Sequence, residues 1–304
     1  MRTRVNVVAA ALLVVGFVAA VVAVPAAQAQ APCTAQSMTG TYAFYERGSS
    51  AILNSSVQPY PFHWAGAFAP FVVVGEITIG PDGVGNGFFW LRAGSYKTGL
   101  DPVPFQVTVT EMNADCTGKF TTTLSLPGGL SPTIVERVIL MDNGREYRAI
   151  PTSIVNGITT SAWVHEGHRI SKPGETLATC GPQTARGTYV SIAENLVWFR
   201  EGMPIFADVV MSRTEVSMTG DFSGTFYEKL GPAGGIELPT WGTTTVNPDC
   251  SFATTMNIDI AGVPVTVPVR GVFFDGGKKM YMLNMNQNPE GTLFSFGQGQ
   301  RVGK

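Results

Sequence analysis

His165-Glu166-Gly167-His168 is the one place where two of the chain's three histidines stand together. Imidazole beside carboxylate suits proton transfer or metal ligation. A zinc-protease helix, however, requires His-Glu-x-x-His so that both rings share one face. Here the spacing is three, a glycine sits inside, and the segment falls at the end of a strand. Gly297-Gln298-Gly299-Gln300, its counterpart in the second half, carries no ligand type. The pair is therefore read as solvated residues at a rim, with no metal and no cofactor expected.

Other chemistry is sparse. Gly48-Ser49-Ser50 lacks the second glycine of a nucleophile elbow. No glycine-rich loop lies between a strand and a helix, as phosphate binding would need. Glu111 and Glu136 alternate in phase with Val107 and Val109 and with Ile134 and Val138, so either is a candidate to face an interior. An ionised carboxylate there needs a partner, with Arg137 or Arg148 within reach. The aromatic residues are the larger resource. Trp90, Tyr147, Trp163, Tyr227, Trp241 and Tyr281 fall on predicted strands, and Trp64 sits in the aromatic loop Tyr60-Pro61-Phe62-His63-Trp64. These seven are the candidate ligand-binding residues: an apolar lumen with aromatic faces suits a small apolar or flat molecule. Core filling is the alternative for all of them.

The elements that would position these residues repeat. Cys33 precedes Gly40-Thr41-Tyr42 by the same interval that separates Cys180 from Gly187-Thr188-Tyr189. Asn113-Ala114-Asp115-Cys116 returns as Asn247-Pro248-Asp249-Cys250. Asp142-Asn143-Gly144-Arg145 answers to Asp275-Gly276-Gly277-Lys278, with tyrosines Tyr147 and Tyr281 following, and Gly167-His168-Arg169 to Gly299-Gln300-Arg301. Shared order and near-equal spacing indicate a tandem duplication. The expected division is a leader over 1–29, one repeat over 30–170, a Pro/Gly linker over 171–179 and a second repeat over 180–304. Four cysteines allow three connectivities; the repeat favours Cys33 with Cys116 and Cys180 with Cys250. No C-x-x-C spacing suggests zinc or redox work instead.

Period-2 patterning predicts eight strands per copy. In the first they run Thr41–Glu46, Phe71–Ile79, Gly87–Ala93, Phe105–Met112, Lys119–Leu126, Ile134–Met141, Arg145–Pro151 and Thr159–His165. Short Gly/Asn/Asp turns such as Gly80-Pro81-Asp82-Gly83 make sequential strands antiparallel. An eight-stranded meander hides its edges by closing, and eight strands enclose just enough room for side chains or one small ligand. The expectation is all-β, two tandem antiparallel eight-stranded up-and-down barrels, with a pair of β-sandwiches as the alternative. The longer mouth loop of the first copy makes it the expected open barrel.

Arg2 and Arg4, the apolar run from Val5 to Val24, and Ala27-Gln28-Ala29 form the three-part pattern of a signal peptide. Its removal leaves 18 basic against 22 acidic residues, and no basic block stands anywhere, which excludes nucleic acid as an expected partner. No stable membrane span is expected after cleavage, and the chain reads as secreted or periplasmic.

Taken together, Cys-x6-Gly-Thr-Tyr, a Gly-x-Asp-Gly hairpin, Asn-x-Asp-Cys and the late Asp-x-Gly hairpin resemble a group of secreted bacterial tandem β-barrel proteins of unassigned function. Their architecture is similar to calycin (lipocalin-like) and allene oxide cyclase-like barrels. The resemblance rests on turn and disulfide signatures and implies a fold, not an activity. Two expectations follow: a secreted, disulfide-stapled binding or structural module, or a cyclase or isomerase that works by confining an apolar substrate.

Overall fold

The computed structural model of the chain describes residues 32–51, 68–93, 96–97, 99–125, 131–155, 160–171, 179–199, 206–230, 235–260, 262–285 and 291–303. Residues 1–29, where a leader is expected, and the aromatic stretch with His63 and Trp64 lie outside them. Cys33 to Lys304 form one compact unit. Its first half holds β1 (Gly40–Ala51), β2 (Phe68–Ile79), β3 (Val84–Ala93), β4 (Tyr96–Lys97), β5 (Val103–Thr110), β6 (Thr117–Leu124), β7 (Thr133–Met141), β8 (Glu146–Val155) and β9 (Thr160–Ser171). The second half holds β10 (Gly187–Phe199), β11 (Phe206–Val216), β12 (Asp221–Leu230), β13 (Gly235–Val246), β14 (Ser251–Ile260), β15 (Val263–Phe274), β16 (Lys279–Asn284) and β17 (Gly291–Gly303). Each strand pairs antiparallel with its neighbour. β9 returns to β1 and β17 to β10, so both sheets close, with β4 a two-residue spur on β3. The fold is two eight-stranded antiparallel barrels, and closure leaves neither with a free edge. Among the described residues no helix is long and apolar enough to cross a membrane.

The repeated motifs gather at one end of each barrel. In the Asn-x-Asp-Cys turns, Asp115 accepts hydrogen bonds from the Thr117 amide and hydroxyl (3.0 and 2.7 Å), and Asp249 does the same for Ser251 (2.9 and 2.7 Å). This fixes Cys116 and Cys250 at φ of 67° and 70°, each reaching a cysteine before the first strand of its barrel, with Cα atoms 4.9 Å apart in both bridges. Both disulfides are thus internal to a copy. Glu111 turns at φ 56° and ends the fourth predicted strand early; its carboxylate faces solvent, bound to Lys119 at 2.6 Å, and only Glu136 of the two candidates points inward.

The same end is locked by the tyrosine of Gly-Thr-Tyr. Tyr42 donates to the Gly144 carbonyl (2.9 Å) and accepts from Arg169 (2.8 Å), whose guanidinium also binds the Ser37 carbonyl of a 3-10 turn over Ala35–Met38. In the second barrel Tyr189 donates to Gly277 (2.8 Å), Arg301 binds the Arg186 carbonyl (3.2 Å), and a helical turn over Pro182–Ala185 plugs the end. Gly144 and Gly277 sit at φ 78° and 77°, where a side chain is strained. The landmarks that reveal the duplication are therefore closure hardware.

The barrels stand side by side with a shared apolar face. Ala43, Tyr45, Val74 and Trp90 point outward from the first and bury against Val272, Phe274, Tyr281, Leu283 and Met285 of the second. Tyr45 and Tyr281 lie 4.8 Å apart between ring centres, and His168 stacks on Phe274 at 5.1 Å and 17°. Near the locked ends, Glu76 on β2 is buried with one carboxylate oxygen lacking a hydrogen bond among the described residues. Burial, and secondarily the charge of Asp249 on the other barrel, push its pKa up to about 8.

A stability prediction follows. The folded chain holds this proton up to about pH 8, whereas the unfolded chain releases it near the ordinary glutamate value. Unfolding therefore sheds a proton between those limits. Stability falls as pH rises through that window, by at most about 1.4 kcal/mol per pH unit, and levels off above it. Urea midpoints measured from pH 4.5 to 9 should show this decline, and Glu76→Gln should make it shallower, most clearly between about pH 7 and 8, above the value of about 7 to which buried Glu46 is raised; an equally steep decline there in the variant would assign it to other groups.

Candidate functional site

Two interiors differ. The first barrel is filled at its described levels by a column of rings. Tyr147 packs edge-on to Tyr42 and Phe120 (5.3 and 5.2 Å), Phe44 lies against His165 (4.9 Å), and Phe71 meets Trp163 (5.5 Å). Within the column runs a buried polar network. Trp163 Nε1 donates to Glu136 Oε1 (2.8 Å), Glu136 Oε2 lies 3.1 Å from His165 Nδ1, and His165 Nε2 meets the Tyr147 hydroxyl at 2.7 Å. Glu46 Oε1 approaches Nδ1 at 3.4 Å. Burial opposes charge on His165, but Glu136 and Glu46 outweigh it and raise its pKa. Burial, offset in part by His165 and reinforced by Glu136, pushes Glu46 up to about 7. Glu46, Glu136 and His165 offer one atom each within 4.8 Å of one another, and are the described residues that could hold a small cation.

The His-Glu-Gly-His run is now explained position by position. Strand alternation sends His165 inward to the network and Glu166 outward to Arg148 (3.2 Å). Gly167 faces inward again, where an added Cβ would lie 2.0 Å from the Tyr147 ring, and His168 faces the second barrel. The expectation of solvated rim residues is corrected: His165 is 4% exposed.

The second barrel encloses a cavity of about 290 Å³. Its lining includes Tyr189, Phe252, Phe273, Met256, Val267 and Phe226, together with Asn284 and Arg92. Superposing the repeated landmarks shows where the room comes from. Taking Tyr42 with Tyr189, Phe44 becomes Ser191 and Glu46 becomes Ala193. Taking Gly144 with Gly277, Glu136 becomes Val269; taking Gly167 with Gly299, His165 becomes Gly297. All four replacements line the cavity. The space filled by rings and a charged network in the first barrel is empty in the second. Among the described residues the open lumen is thus in the second copy, against the expectation that the first would be open. Loop length did not decide the matter; interior side-chain volume did.

The aromatic candidates do not converge on this cavity. Tyr147 and Trp163 belong to the polar network of the first barrel, while Trp90 and Tyr281 sit at the junction between barrels. Tyr227 and Trp241 face solvent at 39% and 40% exposure, and Trp64 is outside the described residues. Tyr147 and Tyr281, which follow corresponding turns of the repeat, differ by one position in register and so point to opposite faces; Met280 is the inward residue. Arg92 was missed because it stands on the outer face of a strand in the other barrel.

The chain is thus a tandem β-barrel protein whose described residues fill the first barrel with rings and leave a cavity in the second. No known protein family matches it, and no curated protein matches it. Among solved structures it is similar to a double mutant of the vaccine antigen transferrin binding protein B from Haemophilus parasuis Hp5. That match has a TM-score of 0.30 and 9% identity and covers 86% of this chain and 75% of that one. A DUF3598-family protein of unknown function from Nostoc punctiforme aligns with a TM-score of 0.25 and 11% identity, over 89% and 99% of the two chains. Similarity at this level concerns the strand arrangement alone.

Proposed function

We propose that the chain is an exported binding module whose second barrel holds one small apolar molecule. The carrying observation is the cavity of about 290 Å³ in a lumen lined chiefly by aliphatic and aromatic side chains. Dry apolar cavities of about 150 Å³ accept benzene, so this one suits roughly ten to twelve carbons. Export is supported by the two disulfides, which persist outside reducing compartments. Binding is favoured over catalysis by confinement because the lining offers hydroxyls and one guanidinium, while the acid–imidazole cluster lies in the other barrel.

The test is titration with 1-naphthylamine, an uncharged two-ring fluorophore that brightens in apolar surroundings. One site per chain is expected, and Ala193→Phe, which adds a ring to the cavity wall, should weaken it at least about tenfold. No brightening, or equal brightening in the variant, would place the probe elsewhere and end this reading.

A further inference from the structure

Two carboxylates approach His165 Nδ1 at once. Glu136 Oε2 lies 3.1 Å from it and Glu46 Oε1 3.4 Å. A ring nitrogen carries at most one hydrogen, so it can satisfy only one of them. Charge poses the same difficulty. One imidazole cannot neutralise two carboxylates, so in this core either a negative charge is left over or a carboxyl must keep its proton. A divalent cation on a neutral ring balances both.

The spacing suits such an ion. Zn–N and Zn–O bonds of about 2.0–2.2 Å at tetrahedral angles separate neighbouring ligand atoms by about 3.4 Å. The three donor atoms all lie within 4.8 Å of one another. Outer contacts of the kind that orient metal ligands are also in place. Nε2 meets the Tyr147 hydroxyl at 2.7 Å, and a proton donated there leaves the Nδ1 lone pair for a ligand. Trp163 occupies the second oxygen of Glu136 at 2.8 Å. Glu46 and His165 are cross-strand neighbours on β1 and β9. Ala149, beside His165 on β8, is small enough for Glu136 to reach past it from β7. The second barrel loses the set as a whole: Ala193, Val269 and Gly297 replace the three donors, and Met280 replaces Tyr147.

We infer that Glu46, Glu136 and His165 form a buried site for one small divalent transition cation of the Zn²⁺ class, bound through two carboxylate oxygens and Nδ1. The ion ties β1, β7 and β9 together inside the first barrel. It is independent of any ligand in the second.

His165 is 4% exposed, so the ion needs an opening to enter. The full chain, both disulfides intact, is therefore loaded with Zn²⁺ in urea just below its unfolding midpoint and returned to buffer. After gel filtration, metal analysis should find one Zn²⁺ per chain, and the urea midpoint should rise. Glu46→Gln removes one ligand and should retain at least about tenfold less. His168→Gln removes the imidazole that faces the other barrel and should still retain one. Tyr147→Phe keeps all three ligands and should weaken Zn²⁺ against a competing chelator by about ten- to a hundredfold; it serves if the glutamine variant does not fold. No Zn²⁺ after loading, equal retention by Glu46→Gln, or loss with His168→Gln would each overturn the site.

Discussion

Glu136→Ala is expected to destabilise the first barrel by about 3–5 kcal/mol, the range for removing one partner from a buried charged pair. The carboxylate accepts from Trp163 on one oxygen and faces His165 on the other. Its loss strands the Trp163 and His165 nitrogens in a ring-lined space, with Glu46 the remaining carboxylate beside the imidazole. Glu136→Gln should recover most of this. An amide oxygen can still accept from Trp163, and the amide NH₂ can donate to an unprotonated Nδ1 once His165 shifts its proton to Nε2, facing Tyr147. Urea unfolding followed by tryptophan emission measures both. Alanine and glutamine variants equally far below the unaltered protein would assign the loss to the negative charge, which both lack, rather than to the hydrogen bonds or to a cavity.

Opening either disulfide should cost about 4 kcal/mol in the chain-entropy account. The bridges span 83 and 70 residues, and the dependence on loop length is logarithmic, so the two losses should be nearly equal. Cys33→Ser with Cys116→Ser, and separately Cys180→Ser with Cys250→Ser, each assayed in urea without reductant, test this. A pair removed without effect on the unfolding midpoint would mean that the Tyr42–Arg169 or Tyr189–Arg301 lock holds its barrel end unaided.

Strand order, turns and disulfide pairing were legible in the sequence because each depends on local residue type: Asn, Asp and Gly where φ is positive, alternation where one face is wet. Facing was harder. Glu46 shares parity with Tyr42 and Phe44, and His165 with Trp163, so their inward direction could be read once strands were extended to their full length. The contact between barrels also left a mark. Phe71-Val72-Val73-Val74, Val272-Phe273-Phe274 and Met280-Tyr281-Met282-Leu283 are continuous apolar runs, which signify burial on both faces rather than one. What no single-chain pattern announces is which barrel is hollow. That depends on matching interior positions across the repeat, where Phe44 against Ser191 and His165 against Gly297 decide the outcome.

The apolar flank shared by the barrels carries a consequence for the duplication itself. A lone cylinder cut from this chain would present Val272, Phe274, Tyr281, Leu283 and Met285, or Tyr45, Val74 and Trp90, as a bare greasy strip to water. Each half has become the other's wrapping, so neither can now be shed, shuffled into another gene, or expressed by itself without inviting clumping.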